Sequence, residues 1–319
     1  MQAQCLTEVS KAAALLQQGG LVAIPTETVY GLAANGLDAI AVARIFEAKK
    51  RPFFDPLILH VGSLEQAQGL SSRWPEKAQQ LAQAFWPGPL TLVVPKSEHV
   101  PDLVSSSLPS VGLRMPKHPL TLSLLQSLEF PLAAPSANPF GYVSPTTAQH
   151  VLDQLGNAIE AVLDGGPCEV GIESTIVSLM GDEIHLLRLG KISQEELERV
   201  VGPVQRQLSV KGAVQAPGQL EQHYSPFCQL YLLEPGQEAP IWEAESAYVP
   251  FSNPTASAWP QDHLLALSQS GDLNEAAAKV FSILRQLDTL GFKKAWIELA
   301  PNQGLGLAIN DRLRRAAAR

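Results

Sequence analysis

Apolar residues recur along the chain in two rhythms, and the changes between them mark the elements. Residues 6–18 carry Val9, Ala12, Ala13, Leu15 and Leu16 at helical spacing and stop at Gly19-Gly20, which predicts an amphipathic helix with a glycine C-cap. A strand follows over 21–24, LVAI, and ends at Pro25. Helical spacing returns over 39–49 and closes on Lys49, Lys50 and Arg51 before Pro52, cations that suit the negative end of a helix dipole. Residues 56–61 form a second apolar run broken by His60. Helices are predicted over 63–68, with Ser63 as N-cap, and over 75–85, with proline at its start. The proline-framed turn 86–89 leads into the strand LTLVV. Strands over 111–114, 130–134, 161–163, 176–179 and 184–189 alternate with helices over 119–127, 147–155 and onward from Ser193, whose Glu196 is placed for a capping box.

Over 205–226, QRQLSVKGAVQAPGQLEQHYSP, the periodicity fades into a linker that holds His223-Tyr224. Beyond it, strands over 230–233, 247–250, 264–267 and 295–299 and helices over 273–290 and 308–318 predict a small second α/β domain. The expected division is a first domain over 1–205, a linker over 206–228 and a second domain over 229–319. The run GLGLA at 304–308 lacks a preceding strand and full dinucleotide spacing, and reads as helix-entry packing.

Composition narrows the partners. A chain of 319 residues with 45% hydrophobic and 17% charged content suits two globular domains. Its net charge of -8 argues against extended electrostatic binding to nucleic acid, while a local cationic pocket stays open. Cys5, Cys168 and Cys228 are odd in number and lack metal or CxxC spacing, so a reducing cytoplasm is expected, with no disulfide or zinc framework. The N-terminus shows no signal pattern, and no run of eighteen apolar residues predicts a membrane span.

The candidate chemistry lies at strand ends. Thr26, Glu27 and Thr28 follow the first strand, and Ser136 to Thr146 is a loop of small hydroxyl and amide residues that is either an ordinary turn or a cradle for phosphate oxygens. Arg114, near Ser110 in an apolar strand, is either an edge residue or an anion clamp. Glu173-Ser174-Thr175 and Arg188 repeat the pairing of hydroxyl and guanidinium. There is no GxxxxGK[ST], HExxH or GxSxG motif, so positioning and charge stabilisation remain. The residues by themselves support a pocket for a nucleotide and a small carboxylate.

Seven strings, PTETVYGL, AKKRPFFDPLILHV, WPGPLTLVV, SVGLRMP, APSANPFGYVSPT, GIESTIVSL and LRLGKIS, occur in this order. Over about its first two-thirds the chain thereby resembles the YrdC-type threonylcarbamoyl-AMP synthases. APGQLEQHYSP and LGLAINDRLRRAA resemble the linker and extra domain of the longer, two-domain form. The resemblance implies an α/β fold, a YrdC-like twisted mixed sheet with flanking helices plus a small C-terminal Rossmann-like domain, with the linker closing over the site. It implies synthesis of L-threonylcarbamoyladenylate and diphosphate from L-threonine, bicarbonate and ATP, in the cytoplasm, with Mg2+ accompanying ATP and no separate metal site. The product would serve the tRNA threonylcarbamoyl-transfer machinery that modifies adenosine beside the anticodon; no stable nucleic-acid binding and no membrane are expected. The same resemblance assigns Thr28, His60, Arg114, the backbone at Ala134 and Ser174 to L-threonine. It assigns Lys49, Arg51, Asp55, Ser110, Ser136, Asn138, Ser144, Arg188, His223 and Tyr224 to ATP, with Lys49, Arg51 and Arg188 catalytic. The family usually has Gly where Lys50 stands and Asn where Asp55 stands, and the linker departs from PGMKYRHY at Gln219, Leu220 and Glu221. The reading from another class is a nucleotide- or RNA-binding regulatory protein without turnover.

Overall fold

A computed structural model describes residues 2–208, 216–218, 223–238, 240–254 and 258–318. The chain forms two compact units, Met1–Phe140 with Pro145–Cys168 and Glu173–Leu220, and Gly141–Ser144 with Glu169–Ile172 and Glu221–Arg319. The strands of the first unit are β1 (Gln4–Leu6), β2 (Val22–Ile24), β3 (Gly31–Asn35), β4 (Ile58–His60), β5 (Leu90–Pro95), β6 (Ser110–Arg114), β7 (Leu132–Ala133), β8 (Ala161–Leu163), β9 (Thr175–Ser178), β10 (Ile184–Arg188) and β11 (Val204–Arg206). They join one sheet in the order β1-β8-β2-β3-β7-β4-β6-β5-β9-β10-β11. The pairs β1/β8, β2/β8, β4/β6, β5/β9 and β10/β11 run parallel, and the other neighbours run antiparallel.

Side chains alternate across this sheet, so its two faces have different fates. On one face Leu32, Ala34, Leu59, Leu92, Val94, Leu113, Val177 and Leu186 enter the main core. They meet the helices Ala39–Lys49, Glu76–Phe85 and Gln194–Val201 through Val42, Ile45, Phe46, Leu81, Ala82 and Leu197. On the other face Val22, Ile24, Ala33 and Leu132 pack with Leu16 of the helix Val9–Gln17 and with Leu124 and Leu125 of the helix Pro119–Gln126. From β4 to β10 that second face carries, among the described residues, a small apolar cluster of Ile58, Val93, Ile176 and Leu187, joined by Ala216 from beyond the strands. Polar side chains take the positions between them.

Local signals set the helix ends as expected. Ser63 caps its helix by accepting the N–H of Gln66, Thr147 accepts that of His150, and Ser193 and Glu196 form the capping box. The long helix begins at Val9 rather than residue 6, because Leu6 pairs in parallel with Leu163 as part of β1. Three strands carry too little pattern to read. β1 is an edge with one buried residue, β3 is a run of small residues buried on both faces, and β11 is an edge strand at the start of the fading segment.

The second unit carries three parallel strands, β12 (Gln229–Leu233), β13 (Ser246–Val249) and β14 (Lys294–Glu298), in the order β12-β14-β13. The expected strand over 264–267 is absent from this ladder. Its main-chain groups reach the neighbouring segment through isolated bridges such as Tyr248 with Leu264. Asp272 caps the helix Leu273–Thr289 by accepting the N–H groups of Asn274 and Glu275. In the helix Leu305–Ala317, Asn310 ties down the loop after β14, accepting from Ala300 N and donating to its carbonyl, each at 2.8 Å.

Candidate active site

The pairing register carries one set of side chains across the open face of the large sheet. His60 pairs with Leu132 and with Arg114, and Ile58 with Gly112. Gly112 pairs with Val93, Ser110 with Pro95, Thr91 with Ile176, and Ile176 with Arg188. Residues in register share a face. His60, Ser110, Arg114, Thr91 and Arg188 therefore belong to the side that carries the small apolar cluster. Arg188 reaches that side because the β9/β10 ladder slips between Leu186 and Arg188, a bulge that re-aims the side chain.

Arg114 is no water-facing edge residue: it is 4% exposed. Its Nη2 donates to Glu27 Oε1 at 2.7 Å and to Thr28 Oγ1 at 3.0 Å. Thr28 in turn shares a 2.7 Å hydrogen bond with Thr26. Beside Arg114, burial and then the guanidinium charge push the His60 pKa down to about 3, against the opposing pull of the Ile58 and Leu132 carbonyls. The imidazole is therefore neutral at physiological pH. The N–H of Ala134 is spent on Ile58 O at 3.1 Å, which leaves the Ala134 carbonyl as the group that backbone can offer a ligand.

A second cluster adjoins the first. Arg188 donates from Nε to Ser174 O and from Nη2 to Ser174 Oγ, both at 3.0 Å, and from Nη1 to Pro217 O at 3.2 Å. Ser174 also shares a 2.8 Å bond with Thr91. Arg51 pairs with Asp55 at 2.9 Å and donates to the Asp55 and Pro56 carbonyls. Asp55 is buried, which raises its pKa, while Arg51, Lys49 and Arg188 pull it back. These four groups thus share one electrostatic cluster. Lys49, 1% exposed, sends its ammonium to the carbonyls of Ser136 and Asn138. Burial, then the charge of Arg51, holds its pKa well below the usual lysine range.

The structure thus gathers Thr28, His60, Arg114, Ser174, Arg188, Arg51, Asp55 and Lys49 into two adjoining clusters, with Ser110 on the same face and Ser136 and Asn138 at the lysine. Ser144, His223 and Tyr224 belong to the second unit. There Ser144 O accepts from Arg285 at 3.2 Å, and Tyr224, at positive φ and 1% exposed, lies between Phe281 and the Arg312 guanidinium. Gln219, Leu220 and Glu221 lie outside the described residues.

Comparison with known proteins gives this arrangement its relatives. The Sua5/YciO/YrdC model, described as "Telomere recombination", matches residues 14–190. A model described as the C-terminal domain of threonylcarbamoyl-AMP synthase matches 192–318. The chain belongs to the Sua5/YciO/YrdC family. It is 40% identical over 317 residues to the threonylcarbamoyl-AMP synthase of Pyrococcus abyssi, covering 96% of this chain and 93% of that one. Identity to the Bacillus subtilis enzyme of that name is 38%, covering 97% and 93%. A putative threonylcarbamoyl-AMP synthase of Mycobacterium tuberculosis is 38% identical over 194 residues, covering 61% of this chain and 89% of its own length. The crystal structure of P. abyssi Sua5 complexed with L-threonine superposes with a TM-score of 0.88 at 38% identity, covering 97% and 94%.

Two site residues of this Sua5/YciO/YrdC chain escape a motif reading. Glu27 stands between two threonines of the first motif, yet only the fold shows that it holds Arg114. Thr91 reads as one polar residue in an apolar strand, and only the β5/β9 register sets it beside Ser174. Lys50, where the family usually has Gly, ends the helix Ala39–Lys49 at φ 52, in the left-handed region that favours glycine.

Proposed function

We propose that the chain joins L-threonine, bicarbonate and ATP into L-threonylcarbamoyladenylate with release of diphosphate. The observation that carries this reading is the adjoining pair of clusters, one around the buried Arg114 and the other around Arg51, Arg188 and Lys49. Its support is membership of a family whose P. abyssi relative bears the name threonylcarbamoyl-AMP synthase and has been crystallised with L-threonine. In this reading Arg114 meets the threonine carboxylate, with Thr28, His60, Ser174 and the Ala134 carbonyl around the rest of the molecule. A neutral His60 adds no cation against the ammonium of the amino acid.

The amine, once deprotonated, adds to the carbon of carbon dioxide and gives up a further N–H proton to solvent, forming N-carboxythreonine; from bicarbonate the same product forms with loss of water. An oxygen of the new carboxylate attacks the α-phosphorus in line, and the bond to the bridging β-phosphate oxygen breaks with its electron pair leaving on diphosphate. Arg51 and Arg188 supply planar donors for the charge spread over the phosphates. Lys49 fixes the Ser136–Asn138 loop through its two carbonyl contacts and adds positive charge beneath it. Ser110 joins them in the proposed nucleotide set. Magnesium enters with ATP as part of the substrate. The described residues contain no group of three His, Cys, Asp or Glu suited to a resident metal, and the Asp55 Oδ1, without a hydrogen-bond partner, is a carboxylate oxygen inside the cation cluster.

The product would pass to the enzymes that transfer threonylcarbamoyl to tRNA adenosine, in the cytoplasm. No helix among the described residues is long and apolar enough to cross a membrane. The test is release of diphosphate from ATP that requires both L-threonine and bicarbonate, with the adenylate detected by mass. Diphosphate release indifferent to either co-substrate sinks the reading.

A further inference from the structure

We infer that Glu27 is a positioning residue that aims Arg114 at the carboxylate of the amino-acid substrate, an inference that rests on reading this pocket as the amino-acid site. Glu27 is itself buried and held from both sides. Its Oε2 accepts the backbone N–H of Lys117 at 3.0 Å, just beyond β6, and its Oε1 accepts Arg114 Nη2 at 2.7 Å. The Thr28 hydroxyl takes a second bond from the same nitrogen at 3.0 Å. Nη2 has two N–H groups, and these two acceptors use both. The buried Nε has no hydrogen-bond partner among the described residues.

A guanidinium held in this way at Nη2 cannot swing about its stem, and its remaining donors, on Nε and Nη1, keep fixed directions. Arginine has a flexible side chain, and fixing it before the ligand arrives removes an ordering cost from binding. A charged carboxylate suits this role better than an amide. It makes the stronger, charge-assisted bond, and it keeps a buried cation paired while no substrate is bound. The unpartnered Nε is then the donor that a second carboxylate satisfies.

The test is Glu27→Gln in the full-length chain, titrated with L-threonine and with L-threoninol, which lacks the carboxylate. The expected result is L-threonine binding weakened at least fivefold, with L-threoninol binding and the KM for ATP within twofold of the wild type. A loss smaller than fivefold, tighter L-threonine binding, or parallel loss of both ligands or of ATP overturns the inference. Glu27→Asp keeps the charge but draws it back by one methylene. It is expected to show the same split at smaller amplitude, and it serves as the test should the amide variant fail to fold. Wild-type protein that does not bind L-threonine would instead overturn the reading of the pocket itself.

Discussion

Arg51 carries a resident carboxylate where the proposed reaction needs it to meet phosphate. Asp55 sits 2.9 Å from it, 1% exposed, within the field of Lys49 and Arg188. Asparagine has the same shape without the charge, so Asp55→Asn should lower the KM for ATP by about three- to tenfold, because the phosphates no longer compete with an anion for Arg51. Steady-state kinetics with ATP varied checks this, and a KM that rises or stays put counts against it. His60 gives the second residue-scale prediction. Its folded pKa, about 3, lies below the unfolded value near 6.5, so its neutral form is the one the fold accepts. Its contribution to stability is intact above pH 6.5 and declines as the pH falls from there toward 3, by at most about 1.4 kcal/mol per pH unit. Urea unfolding at pH 7 and pH 5 should show wild type losing more stability than His60→Gln over that interval. Equal losses would mean that His60 does not take up a proton on unfolding.

Among the elements, the bend at β9 and β10 decides where Ser174 and Arg188 end up. The ladder slip aims Arg188 toward Ser174, and Gly190 lets the chain after β10 pass against the residues entering β9. A Cβ at Gly190 would lie 2.3 Å from Thr175 N and 2.7 Å from Ser174 C, too close for either backbone to yield cheaply. Gly190→Ala is therefore expected to displace Ser174, weaken L-threonine binding at least tenfold and cost about 1–3 kcal/mol in stability. Titration with L-threonine together with thermal melting checks it; affinity within twofold of wild type would show that the segment relaxes. The helices, in contrast, were legible from local signals. Ser63, Thr147 and Ser193 all act as caps, since a cap is a contact between near neighbours in sequence. β3 was not legible, because Gly31–Asn35 offers no alternation and is built by pairing with β2 and β7.

For the whole molecule, all eleven strands of the large sheet lie before residue 207, and the M. tuberculosis relative matches 61% of this chain over 89% of its own length. A fragment of residues 1–208 is therefore expected to fold with one cooperative transition, less stable than the full chain. Circular dichroism and urea titration of that fragment check this, and a fragment with no cooperative transition would refute it. The second unit has its own parallel strands and helices, with Tyr224 buried against Phe281 and Arg312 although it falls in a segment that reads as linker. Sequence periodicity finds elements, and it cannot find a tyrosine whose packing partners come from positions 281 and 312.

By itself the sequence determined where most helices and strands lie and which hydroxyl, guanidinium and ammonium groups stand at their ends, because these follow from spacing and from contacts a few residues apart. Its motifs also carried the family. The tertiary structure alone decided that Arg114 is buried, that Glu27 and Thr28 hold it, that Thr91 joins Ser174 and Arg188, and that Asp55 occupies Arg51. Apart from Asp55 and Arg51, these contacts join residues from different elements across the sheet. Each depends on strand order, register and one bulge, quantities set by how the whole sheet assembles and absent from any local stretch of chain.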